Sequence, residues 1–312
     1  MKRWFALVLG LLLLVGLGAC KGEEAPASSA ASAAPQSEPE PDPNWPAQVG
    51  ELTLESQPQQ VISLSPALTE LVYELEGEAL LAGVSSYCDY PKEALDLPDC
   101  GSALLPDRET IQELAPQLVL ASAPLSPEDT QWLAELGAQV LVVERADSVD
   151  GIGENYRMVS TALYGKEAGP KRAEEVFGQL EARYLTLQAA AQGVTQPVSG
   201  IYLRQAPLVM ATGDTLEGEL LEAIGVSNDA AAYSDWQYPA DQAVNLYPDL
   251  VFYAQEIGEA YFATTQIYST TDAYLQGRLY PVDPLPLERQ SGRMWEVLEG
   301  MFQAAYPELG GR

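Results

Sequence analysis

The sequence contains no histidine among its 312 residues. This absence excludes zinc, haem and copper sites with histidine ligands, Ser-His-Asp and Cys-His catalysis, and a histidine-based pH switch. Basic residues are also few, since 16 Lys and Arg stand against 45 Asp and Glu, for a formal net charge of −29. Phosphate backbones and anionic headgroups repel such a chain. Nucleic-acid binding is therefore nearly excluded, and electrostatic adsorption to membranes is disfavoured.

Catalytic and cofactor motifs are missing as well. The sequence has no nucleophile–base pair, no Gly-rich phosphate loop, no metal-ligand cluster and no D-x-D-x-D-G calcium loop. We therefore predict no catalytic residues, no metal site and no cofactor, which means a protein that is not an enzyme. Hydrophobic residues make up 47% of the chain, enough to build packed cores and exclude global disorder. The length fits about two domains.

The N-terminus predicts export and a lipid anchor. Lys2 and Arg3 precede an apolar run, residues 4–17, which is shorter than the roughly 20 residues of a spanning helix and fits a signal peptide. The run ends in Leu-Gly-Ala-Cys, which resembles the bacterial lipobox. Residues 1–19 are thus predicted to be a lipoprotein signal peptide and Cys20 the lipidation site. An ordinary signal peptide with a chance cysteine is the alternative.

A tether is predicted to follow the lipidated cysteine, over residues 20–48. It contains six prolines, Ala-Ser repeats and almost no large apolar residues. Such a segment cannot bury enough surface to offset its ordering entropy, so we expect it to be disordered and, in its Pro-rich half, extended. The predicted location is extracytoplasmic, with the folded part anchored to the cell membrane through the lipid.

The remaining chain predicts two α/β lobes around a helical connector. Short apolar strands alternate with helical stretches from residue 51 on, a pattern typical of α/β layering. We assign an N-terminal lobe to residues 49–146, a connector to 147–196 and a C-terminal lobe to 197–312. Within the connector, a helix from Pro170 to Gln192 would extend roughly 35 Å.

A short internal sequence repeat indicates that a whole lobe was duplicated. The segments ETIQELAPQLV, from Glu109, and DQAVNLYPDLV, from Asp241, align without a gap. Chance similarity is the alternative, because helix–proline–strand is a common local solution.

Two loops are candidates for a ligand cleft. Ligands of open α/β sheets bind beyond the carboxyl ends of the strands. Ser65, Pro66 and Ala67 follow the first predicted strand, and Tyr87 and Tyr90 follow the second. The two tyrosines offer flat amphipathic faces to a large, partly apolar ligand. Packing of these aromatics in the core is the alternative.

Five stretches carry a family resemblance. They are VISLSPALTELVYEL (61–75), GVSSYCDYP (83–91), IQELAPQLVLA (111–121), ATGDTLEGELLEAIG (211–225) and LERQSGR (287–293). With them the chain resembles the iron-complex and cobalamin class of ABC-transporter substrate-binding proteins over about residues 50–308. The resemblance implies a class III fold, that is, two Rossmann-like α/β lobes joined by a single long helix. It also implies that a ligand is captured in the cleft and delivered to a permease.

The resemblance further implies a corrinoid ligand and additional site residues. Arg289 matches an arginine that contacts the ligand in cobalamin-binding relatives, and Trp236 and Tyr238 lie in a stretch that the family turns toward the cleft. Leu285 and Pro286 stand where those relatives carry an acidic residue and an aromatic one. A ferric siderophore or haem is the alternative ligand, and a lipid-anchored ligand sensor is the alternative function. Haem would need Tyr or Met as its iron ligand here.

The resemblance also predicts the partners of the protein. Relatives dock through one acidic residue per lobe, which here matches Glu109 and Asp241, onto a permease dimer that works with an ATPase. We expect a monomer that binds a small molecule.

Cys88 and Cys100 lie in an exported domain, which favours a disulfide, although two separate thiols remain the alternative.

Overall fold

The computed structural model describes residues 42–309. The predicted signal peptide, Cys20 and the linker up to residue 41 lie outside this range. Within it, no helix combines the length and the apolar character that a membrane crossing requires.

The described chain alternates strands and helices through most of its length. In order, the elements are β1 (Ala47–Val49), β2 (Leu52–Leu54), β3 (Val61–Ser63), α1 (Pro66–Glu74), β4 (Leu81–Val84), α2 (Arg108–Leu114), β5 (Leu118–Ala121), α3 (Pro127–Glu135), β6 (Gln139–Val142), α4 (Val149–Ala191), β7 (Ser199–Gln205), β8 (Val209–Met210), α5 (Leu216–Ala223), β9 (Ser227–Asn228), β10 (Leu250–Ala254), α6 (Ala260–Thr264), α7 (Asp272–Leu275), β11 (Leu279–Val282), α8 (Pro284–Arg289) and α9 (Gly292–Ala305).

The N-terminal lobe is built on a fully parallel sheet in the order β4-β3-β5-β6. Its strands are continuous apolar runs, as expected where both faces of a sheet are covered, and β5 is buried along its whole length. Residues typical of helix starts stand at the beginning of α1 and α2. Pro66 occupies the first turn of α1, and the Asp107 carboxylate accepts hydrogen bonds from the backbone of Glu109 and Thr110 at the start of α2.

The C-terminal lobe has a second sheet in the order β11-β10-β7-β8. Strands β11, β10 and β7 are parallel, β8 returns antiparallel to β7, and β9 pairs with the start of β7. The two repeated segments, which begin at Glu109 and Asp241, have similar local structure in the two lobes. In the first lobe, α2 leads through a proline into β5. In the second, a 3₁₀ helix over Ala240–Asn245 leads through a proline into β10.

The connector α4 is a long helix with one break. Gly165 has φ 85° and ψ 179°, which separates two helical segments. This region of backbone space is essentially restricted to glycine. A side chain would also collide there, because a Cβ on Gly165 would lie 2.6 Å from the Asn44 carbonyl oxygen. The second segment begins at Lys166 rather than at Pro170, the start that the sequence predicted.

The end of the predicted linker supplies the cap of this second segment. The backbone N–H groups of Lys166 and Ala168 donate to the carbonyl oxygen and the side-chain Oδ1 of Asn44, at 3.0 and 2.9 Å. A helix start leaves such N–H groups without intrahelical partners, so the contact satisfies them. Strand β1 follows directly. The prediction of disorder through residue 48 is therefore wrong for its last residues, which are ordered by this capping contact.

We expect Gly165→Ala to destabilise the protein by about 1–3 kcal/mol, because alanine cannot adopt this conformation without strain. Gly178→Ala is the matched control. Gly178 lies in the same helix with helical backbone and free space around the missing Cβ, so alanine should be neutral or stabilise by about 0.5–1 kcal/mol. Urea unfolding of both variants measures the difference, and equal stabilities would show that the kink tolerates a side chain.

A buried carboxylate joins the two lobes in addition to α4. Glu70 of α1 is 1% exposed. It accepts hydrogen bonds from the Ser291 hydroxyl at 2.5 Å and from the Arg293 Nε at 3.0 Å, both at the start of α9. The Gly292 N–H donates to Glu74 one turn later in α1 at 2.6 Å. Beside these contacts, the Gln290 side chain donates to and accepts from the backbone of Ala146. The start of α9 is thus fastened to the N-terminal lobe.

We expect Glu70→Ala to lower the free energy of unfolding by about 3–5 kcal/mol, because it leaves Arg293 without its buried partner. Glu154→Ala removes a carboxylate that pairs with Arg157 on the exposed surface of α4, and should cost about 0–1 kcal/mol. Denaturant titration of the two variants provides the comparison. A loss below 1 kcal/mol for Glu70→Ala would mean that the lobes do not depend on this pair.

Candidate ligand-binding site

A cavity of about 240 Å³ lies where the two lobes and α4 meet. Its walls come from the carboxyl ends of β3, β5 and β6, from α4, and from the end of α8. The lining residues are Ser65, Pro66, Ala67, Leu68, Leu71, Ser122, Val143, Glu144, Arg145, Ile152, Asn155, Glu288, Arg289 and Gln290. The position beyond the carboxyl ends of parallel strands is the one at which open α/β sheets bind ligands.

Four residues predicted from the sequence meet in this cavity. Ser65, Pro66 and Ala67 come from the loop between β3 and α1, and Arg289 comes from the opposite lobe. The loop is held in place from within. The Ser63 and Thr69 hydroxyls both donate to the Ser65 carbonyl, at 2.9 and 3.0 Å. The first predicted loop therefore faces the second lobe across the cavity.

The charged groups that line the cavity balance one another. Two glutamates and two arginines are present among its lining residues. Arg145 donates to Glu217 of α5 at 2.5 Å, and Glu288 accepts from Arg204 of β7 at 2.7 Å. Burial raises the pKa of Glu217, and the charge of Arg145 opposes that shift. The positive charge of Arg145 is thus already compensated before any ligand enters.

Arg289 has a buried N–H group without a hydrogen-bond partner among the described residues. Its Nη2 lies 3.3 Å from the Asp89 carboxylate, whereas its Nε is 3.8 Å from Glu70, beyond hydrogen-bond distance. In the described part of the chain this buried Nε has no hydrogen-bond partner. A buried N–H without a partner is costly, which favours an acceptor at this position.

The predicted tyrosines lie outside the cavity lining. Tyr87 is 69% exposed in the loop after β4. Tyr90 lies under the Arg293 guanidinium, with 4.3 Å between the guanidinium carbon and the ring centroid, a typical cation–π distance. Tyr90 therefore supports the arginine that pairs with Glu70. Neither tyrosine packs in a core, so the core alternative does not hold for them.

The predicted pair in the C-terminal lobe separates into two environments. Trp236 is half-buried, has φ 62°, and donates its backbone N–H to the Thr212 hydroxyl at 3.1 Å. Tyr238 is buried in the lobe's core and packs edge-on against Tyr233, with ring centroids 4.8 Å apart. This burial disfavours the predicted ligand contact of Tyr238, which stays a prediction. Its backbone pairs with Leu208 beside β8, which directs the ring inward.

The predicted disulfide is absent, because Cys88 and Cys100 are both free thiols. The Cys88 Sγ lies 3.3 Å from the Thr69 hydroxyl, whereas the buried Cys100 Sγ lies 3.7 Å from the Pro98 carbonyl. Burial raises the pKa of both thiols, that of Cys100 to about 12. Strand-like pairing braces the loop instead, since the Cys100 N–H donates to the Val84 carbonyl at 2.8 Å.

The two predicted docking acids occupy comparable positions in the two lobes. Glu109 lies in the first turn of α2, and Asp241 lies in the first turn of the 3₁₀ helix over Ala240–Asn245. Both are exposed. Each turn lies near the carboxyl edge of its sheet, because the preceding residues pair beside the ends of β4 and β7.

Sequence reasoning missed several residues of the cavity and its surroundings. Glu144 and Arg145 lie shortly after the end of β6 at Val142, so the rule that selected Ser65–Ala67 could have found them. Glu70 and Glu217 were harder to recognise from the sequence as buried, paired residues. Each is an acid within a mainly apolar helical stretch, but solvated helix faces carry acids far more often.

Comparisons with known proteins identify the family of this chain. The sequence profile described as periplasmic binding protein matches residues 61–284. An ABC transporter substrate-binding lipoprotein of Bacillus subtilis, YvrC, is 27% identical over 98% of this chain and 96% of its own length. A cobalamin-binding protein of Halobacterium salinarum is 25% identical over 81% of this chain and 71% of its own.

A solved structure confirms the fold. The periplasmic heme-binding protein RhuT from Roseiflexus sp. RS-1 superimposes with a TM-score of 0.67 at 23% identity, over 80% of this chain and 99% of that one. The predicted class III fold, with two Rossmann-like lobes and one helical connector, is thereby confirmed. Because the family profile covers most of its length, this chain belongs to the periplasmic binding protein family, as a non-enzymatic substrate-binding protein of an ABC transporter.

Proposed function

We propose that this protein captures a corrinoid, a cobalamin-like molecule, between its two lobes and delivers it to an ABC permease from outside the cell membrane. Cys20 would carry the lipid that holds it there. The name of the Halobacterium relative supports the ligand class, and the lipoprotein name of YvrC supports the anchor.

The proposal rests mainly on one observation, which is that the arginines in and around the cleft are paired with glutamates. Arg145, Arg204 and Arg293 each pair with a glutamate, so their charges are already compensated. Ferric siderophores with strong negative charge need several uncommitted cations, and this cleft does not offer them. A corrinoid presents mainly neutral amides around its ring, and a single group such as the Arg289 Nε can serve one acceptor.

Haem is the second candidate, on two observations. The structure resembles that of the heme-binding RhuT, and the exposed Tyr87 could supply a phenolate to iron. Against haem, no Tyr, Met or Cys of the described residues 42–309 lines the cavity between the lobes. Its two propionates would also need cations, and those of the cleft are already paired.

We expect the apo-protein to bind cyanocobalamin and cobinamide with 1:1 stoichiometry, because neutral ligands avoid the paired charges of the cleft. Haemin and a ferric siderophore should bind at least tenfold more weakly. Isothermal titration calorimetry of the four ligands against one protein preparation tests this. Tight binding of haemin with an iron–phenolate absorption band would contradict the corrinoid proposal.

Arg289→Gln should weaken corrinoid binding by about 1–3 kcal/mol, because it removes a charged donor whose Nε is unpaired. Arg157→Gln, on the exposed face of α4, is the matched control and should bind as the wild type does. Calorimetry gives the affinities, and thermal melting shows whether each variant is folded. Unchanged corrinoid affinity in a folded Arg289→Gln variant would place the ligand elsewhere.

Docking through Glu109 and Asp241 is part of the same proposal. One exposed carboxylate per lobe would meet basic side chains of the two permease subunits. Charge pairs at the edge of an interface mainly set the association rate and the orientation. The acids would thus align the protein on the permease without contributing most of its affinity.

A further inference from the structure

Large apolar side chains stand in solvent next to both proposed docking acids. In the N-terminal lobe, Leu104 and Leu105 are 85% and 80% exposed, a few residues before Glu109. In the C-terminal lobe, Val244 and Tyr247 are 72% and 62% exposed, a few residues after Asp241.

The leucines are held at the tip of a tight hairpin. Gly101 and Pro106 form an antiparallel bridge, and Ser102 and Leu105 exchange two backbone hydrogen bonds, at 3.0 and 3.2 Å. Turn tips normally carry Gly, Pro, Asn, Asp or Ser, so consecutive exposed leucines are unusual there. Leu105 lies four residues before Glu109, so their Cα atoms are at most about 14 Å apart.

The C-terminal lobe presents a groove instead of a projection. A surface groove of about 410 Å³ is lined by Val244, Leu246, Tyr247, Ile267 and smaller or polar residues, and in the part of the chain that the structure describes no charged residue lines it. Val244 is three residues after Asp241 in the 3₁₀ helix. Since residues three apart eclipse in this helix, the acid and the valine share one face.

We propose that these two pairs are apolar anchors for the permease dimer. Leu104 and Leu105 form one anchor, and Val244 and Tyr247 form the other. Each would pack against an extracytoplasmic permease segment that carries a large apolar side chain beside a basic one. The inference rests on the proposed docking role of Glu109 and Asp241, and it adds the contacts that slow dissociation. Buried apolar groups at the centre of an interface carry most binding energy, whereas charges at its edge steer association.

Charge complementarity favours a permease segment as the binding partner over a lipid surface or a second copy of the chain. Anionic headgroups would be repelled by the acid beside each anchor. A second copy of the chain, related by a two-fold axis, would bring the same surface and its acid against itself. A basic permease segment meets the acid and the apolar anchor together.

The test uses the full lipidated chain and the organism's permease–ATPase complex in nanodiscs. Leu104→Ser with Leu105→Ser removes one anchor, and Val244→Ser with Tyr247→Ser removes the other. Leu275→Ser is the matched control, because Leu275 is 68% exposed on α7, at the opposite, amino-terminal edge of the sheet. Glu109→Lys with Asp241→Lys tests the acids. Biolayer interferometry at two salt concentrations gives the association and dissociation rates.

We expect each anchor variant to dissociate about tenfold faster or more, with little change in association rate or salt dependence. The acid variant should associate more slowly and lose its salt dependence, and Leu275→Ser should match the wild type. Corrinoid affinity and melting temperature should stay unchanged in the anchor variants.

Three results would overturn specific parts of this inference. If the acid variant fails to dock while both anchor variants dock as the wild type does, the anchors are wrong and the acids stand. If the anchor variants dissociate fast while the acid variant behaves as the wild type, the docking role of the acids is wrong and the apolar contacts stand alone. If the wild type sediments as a dimer and the anchor variants as monomers, the surface is a self-interface.

Discussion

The arrangement of the two lobes depends on one buried carboxylate. Glu70 is removed from solvent and bound by a hydroxyl and a guanidinium, both at the start of α9. A buried ion pair has little net effect on stability compared with apolar packing, but separating its partners is expensive. The pair therefore selects one relative position of α1 and α9 over others. Because α8 and Arg289 directly precede α9, the same contact sets where the second lobe meets the cavity.

The way the lobes are joined also determines what the cleft can bind. In the cleft and beside it, Arg145, Arg204 and Arg293 are each paired with a glutamate that the fold positions. These pairs consume the positive charge that an anionic ligand would need. The acidic composition thus has a local consequence, because nearly every arginine near the cleft has a carboxylate within reach. Arg289 also lies beside two carboxylates, those of Glu70 and Asp89, but among the described residues its buried Nε has no hydrogen-bond partner.

Most of the fold could be predicted because it is locally encoded. The strands were apolar runs, and helix-start residues stand where helices begin, with Asp107 as the cap of α2 and Pro66 in the first turn of α1. The differences from expectation share one physical origin, which is contact between distant segments. Asn44 caps a helix more than a hundred residues away, Tyr238 turns inward through pairing with Leu208, and Cys88 and Cys100 have separate neighbours. No local pattern encodes such pairings. Most of the cavity lining was missed as well, although the rule that selected Ser65–Ala67 could have found Glu144 and Arg145.

The ion pairs that hold the two lobes together affect how the proposed ligand could be delivered. Opening the cleft would separate Glu70 from Arg293 and Arg145 from Glu217, and would therefore break both ion pairs. In the proposed delivery, contact of the permease with both lobes would supply the free energy needed to break these pairs and release a ligand. Exposed charges alone hold a partner weakly. A surface that must transmit force to each lobe therefore needs apolar contact as well as charge, and both lobes carry exposed apolar side chains beside an acid.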